Sequence, residues 1–252
     1  MYVMGAGRSG TTILGIILGD NAGIAHVGEI NKFLTFSGKS PGRDEKSKVC
    51  MFFSDVYEEI LDEGCDIDFD YKKEEFHLHL LRFVMCKKKN KCAIKYLYKQ
   101  KIVFDKLYEK LGASVIVDSS KYSVRAFRLM NISSYDVKLI YLKRSYLGVV
   151  KSFQKKKIEQ PRKGYLSASI YYLIVNFLAY IVFCLYDKKN RLFVRYEDIL
   201  TDPEGVLIKI KDGFDVDISN SLEKIREKIP LRTGYIFDGN RVRLQDDIMI
   251  SK

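Results

Sequence analysis

The sequence lacks several features that would assign it to a special class of protein. Its five cysteines include no CxxC pair and stand at irregular spacings, so we expect reduced thiols rather than a disulfide framework. It has no internal repeat and no low-complexity linker, which favours one domain over residues 1–252. Because no secretory signal peptide precedes the first predicted strand, we expect a cytoplasmic protein.

The sequence has fewer acidic than basic residues. The chain has 43 Lys and Arg against 32 Asp and Glu, a net charge of +11. Such a balance favours a polyanionic partner, which could be nucleic acid, an anionic polysaccharide, a membrane surface or an anionic nucleotide cosubstrate. We expect no nucleic-acid partner, because no DNA- or RNA-binding motif with interleaved aromatic residues is present.

A glycine-rich stretch, GAGRSGTT at Gly5–Thr12, lies near the start of the chain. It follows a short apolar run at Tyr2–Met4, which predicts a strand, and precedes an apolar run at Ile13–Leu18, which predicts a helix. A turn of this kind points backbone N–H groups at one spot and binds anions, most often phosphate. The spacing resembles the P-loop, but Thr11 replaces the lysine and the cation is Arg8. The loop therefore favours phosphate without favouring a magnesium-bound triphosphate.

The rest of the chain alternates strands with helices, and polar residues follow the carboxyl ends of several predicted strands. This order predicts an α/β fold, with a parallel central sheet covered by helices on both faces in three layers. Such sheets bind ligands at the carboxyl edge. Residues 35–48 read as a polar loop, and the pattern from 49 to 111 is helical. We therefore predict a helical insert at about 35–111. Such an insert is suited to recognising the substrate that accepts a transferred group.

Arg144 and Ser152 form a second candidate anion site. Arg144 follows a predicted strand, and Ser152 stands eight residues later, two turns into the next predicted helix. A guanidinium and a hydroxyl so placed can converge on one oxyanion. Together with the glycine-rich loop, they fit a nucleoside that carries phosphate groups at both ends.

Five motifs taken in order resemble the sulfotransferases that use 3′-phosphoadenosine 5′-phosphosulfate (PAPS). They are GAGRSGTT at the start, VIVDSSK, KRSYLGVVKSF, FVRYEDIL followed by Asp202-Pro203, and Gly239-Asn240-x-x-Arg243. The second and the last are similar to bacterial and tyrosylprotein-type members. The resemblance extends from residue 1 to about 243 and is weak across the insert. It implies a P-loop-type fold.

The resemblance also implies how the cosubstrate is bound. The 5′-phosphosulfate would be held by the glycine-rich loop, through Arg8, Ser9, Gly10, Thr11 and Thr12. The 3′-phosphate would be bound by Arg144 and Ser152 with help from Arg243, and Tyr196 would lie near the adenine.

Sulfuryl transfer needs a base for the acceptor hydroxyl and positive charge near the leaving phosphate. The resemblance implies that Glu29 is the catalytic base and that Arg8 and Lys121 stabilise charge. It also implies that Lys121 or Ser120 faces the group that is transferred. Asp118 is the second candidate base, although it could instead cap the following helix. The lysine-threonine-histidine motif of cytosolic sulfotransferases is not visible.

No metal is required by this chemistry, and we predict none. His77 and His79 are two residues apart, so on a helix they would point to different faces and would not share a metal.

The segment Leu166–Tyr186 is uncharged and long enough to raise the question of a membrane span. Basic residues flank it on both sides, at Lys155–Lys163 and Lys188–Arg191. A spanning helix would separate Arg144 and Ser152 from Tyr196, which we assign to one site. We therefore predict a buried helix against the sheet and keep peripheral membrane contact as the alternative.

The sequence thus favours a PAPS-dependent sulfotransferase whose acceptor hydroxyl lies on a carbohydrate or glycolipid. One alternative is a nucleotide or small-molecule kinase, against which the missing P-loop lysine argues. A second alternative is a non-catalytic module that binds polyanions through its basic surface.

Overall fold

The computed structural model describes residues 1–65, 68–77, 79–80, 91–154 and 163–250. Five parallel strands form one sheet in the order β2-β3-β1-β4-β5. The strands are β1 (Tyr2–Met4), β2 (Ile24–Gly28), β3 (Val115–Lys121), β4 (Leu139–Lys143) and β5 (Arg191–Arg195). Because β1 lies at the centre, the loop that follows it reaches the middle of the carboxyl edge, where such sheets bind ligands.

Helices connect and cover these strands. They are α1 (Thr11–Gly19), α2 (Lys48–Asp62), α3 (Tyr71–Glu74), α4 (Lys91–Leu111), α5 (Ser123–Leu129), α6 (Tyr146–Gln154), α7 (Tyr165–Leu185), α8 (Tyr196–Thr201), α9 (Pro203–Phe214) and α10 (Ser219–Glu227). Helix α9 begins with proline in its first turn, and the Asp202 side chain accepts the Gly205 N–H at 2.9 Å. A first-turn proline with an aspartate cap is a favourable helix start.

The sheet separates two hydrophobic cores. Successive side chains of a strand point to opposite faces. Accordingly, Leu139 and Tyr141 of β4 pack on one side with helices α2, α4, α5 and α7, whereas Ile140 and Leu142 pack on the other side with α1, α9 and α10. The predicted α/β fold, with a parallel sheet and helices on both faces, is therefore confirmed.

Helices α2, α3 and α4 lie between β2 and β3 in the chain, within the predicted insert. Helix α2 begins at a capping residue, since the Ser47 hydroxyl accepts the Cys50 N–H at 3.2 Å. Lys106 of α4 joins Glu63, just after α2, at 2.6 Å. Residues 66–67, 78 and 81–90 of the insert lie outside the described residues. The division of the chain into one domain with an insert stays a prediction, as does the insert's role in acceptor recognition.

The prediction that residues 166–186 form a buried helix is wrong for one face. Helix α7 buries Leu178, Ala179 and Val182 in the core, but Leu173 and Phe177 are more than half exposed. By length and composition this helix could cross a membrane, and only 39% of its most apolar 18-residue stretch is buried within the protein. The sequence is apolar all round the helix, so its periodicity did not reveal the exposed side. Residues 155–162, in the basic flank before it, lie outside the described residues.

A two-stranded antiparallel ribbon near the end of the chain was not predicted. It pairs β6 (Leu231–Arg232) with β7 (Asp247–Ile248). The segment between its strands crosses the carboxyl edge of the main sheet, where Phe237 N–H donates to Val27 O at 3.0 Å and Glu29 N–H donates to Asp238 O at 2.8 Å. The ribbon therefore holds a C-terminal loop beside the end of β2.

Candidate active site

The glycine-rich loop connects β1 to α1 at the centre of the carboxyl edge. Gly10 has a φ of 89°, and a Cβ there would lie 2.3 Å from the Tyr196 ring. Only glycine tolerates both the left-handed backbone and this close approach. The first N–H groups of α1 have no partners within the helix and point out of its N-terminus. The local geometry is that of an anion-binding loop.

Two hydroxyl groups of this loop are buried without a partner. Ser9 and Thr11 are each 1% exposed, and neither hydroxyl has a hydrogen-bond partner within the described ranges. Buried polar groups are nearly always hydrogen-bonded in folded proteins, so such groups need an explanation. A bound oxyanion would satisfy both hydroxyls as donors. Thr12 differs, because its hydroxyl accepts the Asn240 N–H at 3.2 Å.

Arg8 stands at the tip of the loop in a strained conformation. Its φ is 70°, which is uncommon for a residue other than glycine, and its guanidinium lies 5.3 Å from the centre of the Phe153 ring. Strained backbone of this kind clusters at functional sites. Lys121, at the end of β3, has a φ of 76° and is the second such residue at this edge.

Lys121 and Glu29 meet beside the loop. The Lys121 ammonium forms an ion pair with Glu29 Oε1, and the backbone O of Lys121 accepts the Gly5 N–H at 3.3 Å. Lys32 Nζ lies 2.7 Å from Glu29 Oε2. Lys32 also bonds Asp238 Oδ2 at 2.5 Å, which ties the C-terminal loop to the same cluster.

The two lysines determine the protonation of Glu29. Burial would raise the pKa of the Glu29 carboxyl, but the ammonium groups of Lys121 and Lys32 outweigh it and lower the pKa to about 2. Burial would lower the pKa of Lys32, yet Glu29 and Asp238 raise it above its ordinary value. Glu29 is therefore ionised at neutral pH and both of its oxygens face cations.

Asp118, the second candidate base, lies within a buried network. Arg125 Nε donates to Asp118 Oδ2 at 2.8 Å, and the Ser120 N–H donates to Oδ1 at 2.8 Å. Arg125 is fully buried and also pairs with Glu75 at 3.0 Å. Asp118 is thus held by a fully buried arginine, whereas Glu29 pairs with Lys121 beside the glycine-rich loop, so we retain Glu29 as the candidate base.

Arg144 and Tyr196 are brought together at the ends of β4 and β5. The Arg144 guanidinium lies 4.4 Å from the centre of the Tyr196 ring, and its Nη1 donates to Arg8 O at 3.0 Å. Tyr196 in turn packs against Gly10. Ser152 is half-buried on α6, two turns after Arg144 as predicted. In the described part of the chain, however, no hydrogen bond joins Ser152 to Arg144.

Arg243 lies at the other side of the site. It is 3% exposed, pairs with Asp238 at 3.3 Å and donates to Pro41 O. These contacts join the C-terminal loop to the start of the insert, near Glu29 rather than Arg144. The predicted role of Arg243 toward a 3′-phosphate stays a prediction, as do the roles of the other site residues.

Three residues that contribute to the candidate active site were missed in the sequence analysis. Lys32 follows Glu29 by three residues, a spacing that suits an ion pair on a helical turn, so it could have been noticed. Asp238 is 206 residues from Lys32, and only the folded chain brings the two together. Tyr171 of α7 accepts the Gly7 N–H at 2.8 Å and so buttresses the loop. Its apolar surroundings gave no signal of this contact.

Two further observations concern groups that could bind a metal. Among the residues that the structure describes, no group of three or more His, Cys, Asp or Glu side chains is placed to hold an ion. His26 is buried beside Ser119, with Nε2 and Oγ 2.9 Å apart, and burial lowers its pKa to about 3. It packs against Gly15 and Gly19 of α1 and is a core residue.

Comparison with solved structures identifies the fold. The sulfotransferase domain from the curacin biosynthetic pathway is similar to this chain, with a TM-score of 0.52 and 17% identity, covering 88% of this chain and 75% of that one. Sulfotransferase STF1 from Mycobacterium tuberculosis H37Rv is also similar, with a TM-score of 0.52 and 12% identity, covering 88% and 69%. No protein-family model and no curated protein matches the sequence. The chain has the sulfotransferase fold.

Proposed function

We propose that this chain is a sulfotransferase that moves a sulfuryl group from PAPS to a hydroxyl group of an acceptor. The observation that carries the proposal is the ion pair between Lys121 and Glu29 beside the glycine-rich loop. It puts a carboxylate that could take a proton next to a cation that could stabilise a developing negative charge. The fold shared with solved sulfotransferases supports the proposal.

The residues of the loop suit a phosphate-containing cosubstrate. Within the described ranges the buried hydroxyls of Ser9 and Thr11 have no hydrogen-bond partner, and the first-turn N–H groups of α1 have none within the helix. These groups are hydrogen-bond donors that a bound phosphate could occupy. Arg144 and Tyr196 offer a cation and an aromatic face at the neighbouring strand ends. When bound, PAPS would supply the sulfuryl group and a phosphate leaving group. Loop donors of this kind would hold its charge and fix its orientation.

Glu29 would accept the proton of the acceptor hydroxyl. Its two lysine partners keep it ionised at neutral pH, and they also make it a weak base. An anion held by the loop would compete with Glu29 for Lys121. Any weakening of that ion pair raises the pKa of Glu29 toward its ordinary value and makes it a better base. Lys32 would keep the carboxylate in position meanwhile.

The acceptor and the location of the protein are finer parts of the proposal. A carbohydrate or glycolipid hydroxyl is the acceptor class expected from the sequence, and neither of the two similar sulfotransferases above is named for such an acceptor. We keep the acceptor as a hydroxyl compound, with the insert at 35–111 as the segment that selects it. A cytoplasmic location is likewise proposed from the sequence alone.

A ligand titration tests the nucleotide site. Thermal unfolding is followed with adenosine 3′,5′-bisphosphate and, separately, with ATP and Mg²⁺, for the wild type, Arg144→Ala and the control Arg226→Ala on α10. Saturation at about 100 times the dissociation constant stabilises a protein by roughly 2.7 kcal/mol. We expect a shift with the bisphosphate that the wild type and the control show and Arg144→Ala loses.

Other outcomes separate the alternatives. A shift only with ATP and Mg²⁺ would favour a kinase, and no shift with either nucleotide would favour the polyanion-binding module. Transfer of labelled sulfuryl from PAPS to a panel of hydroxyl acceptors then tests catalysis directly. Absence of transfer to every acceptor together with tight bisphosphate binding would indicate a protein that binds the nucleotide without catalysis.

A further inference from the structure

Helix α7 presents an apolar stripe to solvent. Leu166, Ile170, Leu173, Phe177 and Tyr180 recur at intervals of four and three residues, so they share one face of the helix, and they are between 49% and 75% exposed. The stripe runs over about 21 Å at 1.5 Å per residue. We call these five residues the α7 outer face.

Neighbouring side chains widen this surface. Tyr165 and Ile174 of the same helix and Leu147 of α6 are also exposed. Monomeric soluble proteins seldom expose many large apolar side chains side by side, and those that do use such a surface to bind a protein, a ligand or a membrane.

The charges around the α7 outer face have one predominant sign. Residues 164–186 carry no charge, and the residues at the ends of the helix are Lys163 before it and Asp187, Lys188, Lys189 and Arg191 after it. Lys188 and Lys189 are exposed. An apolar centre with basic ends matches the interface of an anionic bilayer, where hydrocarbon lies beneath negative head groups.

The inner face of α7 excludes a spanning orientation. Leu178, Ala179 and Val182 belong to the same hydrophobic core as Tyr141 of β4. The Tyr141 hydroxyl also donates to Asn176 Oδ1 at 2.9 Å. Crossing a bilayer would require breaking these contacts and pulling α7 away from β4. The helix can therefore lie on a membrane but not cross it.

Electrostatics also disfavours a second copy of the chain as the occupant. Each copy carries a net charge of +11, so two copies repel one another, whereas an anionic surface attracts each of them. A protein partner would in addition be expected to meet a polar rim, and the α7 outer face has no charged residue from 164 to 186 to provide one.

We propose that the α7 outer face docks peripherally on an anionic lipid bilayer, with the helix axis parallel to the membrane. The apolar stripe enters the interface, and the exposed Lys188 and Lys189 contact the lipid head groups. This proposal goes beyond the proposed function and does not depend on it.

Docking would bring the candidate active site close to the membrane. Tyr171, on the inner face of α7, accepts the Gly7 N–H, and Tyr172 donates to Arg144 O at 3.0 Å. The glycine-rich loop and Arg144 are thus separated from the bilayer by about one helix diameter, roughly 10 Å.

Vesicle flotation with the full chain tests the proposal without any nucleotide or acceptor. Phosphatidylcholine vesicles are compared with vesicles that also contain phosphatidylglycerol. We expect binding to the anionic vesicles that weakens as salt is added, because screening removes the attraction of the lysines. The double variant Leu173→Glu/Phe177→Glu should lower the partition coefficient by at least about tenfold, since two apolar contacts are replaced by charges.

Matched variants control for added charge and for folding. Met51→Glu/Ile94→Glu places the same two charges at exposed apolar positions of α2 and α4 and should bind vesicles like the wild type. Lys188→Glu/Lys189→Glu should weaken binding to anionic vesicles, whereas Lys72→Glu/Lys73→Glu on α3 should weaken it less. Circular dichroism and thermal unfolding establish that each variant is folded.

Three outcomes would overturn the proposal. The first is that the wild type fails to bind anionic vesicles at low salt. The second is that Leu173→Glu/Phe177→Glu is folded and binds as well as the wild type. The third is that light scattering finds a wild-type dimer that this double variant converts to a monomer, which would make the α7 outer face a self-association surface.

Discussion

Lys121 and Glu29 are 92 residues apart in the sequence and form an ion pair at the carboxyl edge of the sheet. Their strands, β3 and β2, are neighbours, so both residues leave the sheet at the same place. Glu29 follows Gly28, whose φ of 74° turns the chain there. The backbone O of Lys121 accepts a hydrogen bond from Gly5. The pair thus connects the glycine-rich loop to the carboxylate proposed as the base.

Glu29→Gln should separate turnover from nucleotide binding. The amide keeps the shape of the side chain but cannot take a proton, so we expect kcat for sulfuryl transfer to fall about 10²–10⁴-fold. The thermal shift with adenosine 3′,5′-bisphosphate should persist, because the donors of the loop are unchanged. Steady-state kinetics and the ligand titration measure the two effects.

Glu58→Gln is the matched control for this substitution. Glu58 is an exposed residue of α2, and its replacement should leave both kcat and the bisphosphate shift as in the wild type. If Glu29→Gln retained wild-type kcat, Glu29 would not be the base.

Acid should weaken the fold through Glu29. Because the folded-state pKa of Glu29 is about 2, below its ordinary value of 4.5, ionised Glu29 stabilises the fold above about pH 4.5. That contribution is lost as the pH falls toward 2, since the unfolded chain then binds the proton more readily. Urea unfolding between about pH 5 and pH 2.5 should show a steeper loss for the wild type than for Glu29→Gln. Parallel curves would contradict the assignment.

Removing the hydroxyl groups of Ser9 and Thr11 should leave the stability of the fold unchanged and weaken the binding of the bisphosphate. Ser9→Ala and Thr11→Val delete buried hydroxyl groups for which the described residues offer no hydrogen-bond partner. The unliganded protein should therefore be as stable as the wild type or slightly more stable, while the bisphosphate shift shrinks. Thermal unfolding with and without the bisphosphate measures both quantities.

Thr12→Val provides the contrast. The Thr12 hydroxyl accepts the Asn240 N–H, so the unliganded variant should lose about 1 kcal/mol of stability. If Ser9→Ala and Thr11→Val lost as much, their hydroxyls would have internal partners, and the inference of an oxyanion would fail.

Features that depend on local sequence were predictable. The glycine-rich loop follows from residue types at short spacing, and the structure has it where the sequence indicates. In the same way, the run Arg191–Arg195 predicts β5, and Asp202-Pro203-Glu204 predicts the start of α9. The same is true of the parallel sheet, because apolar runs alternate with helical patterns along the chain. The apolar run Ser114–Val117 predicts a strand, and β3 extends beyond it to Lys121, since its polar end pairs with β1 and β2.

Features that depend on tertiary contacts were not predictable. Asp238 approaches Lys32 only because the β6–β7 ribbon holds the C-terminal loop against β2. The exposed side of α7 could not be told from its buried side, because both are apolar and the hydrophobic pattern has no polar face to orient it. Asp118 could be a base or a structural residue on sequence grounds, and only its buried partner Arg125 distinguishes the two roles.

Arg125→Ala should be strongly destabilising. The Arg125 side chain is fully buried, and it pairs with Asp118 at 2.8 Å and Glu75 at 3.0 Å. Its removal would leave two buried carboxyl groups without a cation, and loss of one partner of a buried ion pair costs about 3–5 kcal/mol. Burial already raises the pKa of Glu75 despite its contact with Arg125. Without Arg125 that pKa should rise further.

Arg226→Ala is the surface control for this effect. Arg226 pairs with Glu204 at 2.7 Å, with both side chains at least 41% exposed, and such pairs contribute no more than about 1 kcal/mol. Urea unfolding at neutral pH should therefore order the free energies of unfolding as wild type, then Arg226→Ala close below it, then Arg125→Ala well below both. If Arg125→Ala instead unfolded like the surface control, the network would not secure Asp118, and Asp118 would return as a candidate base.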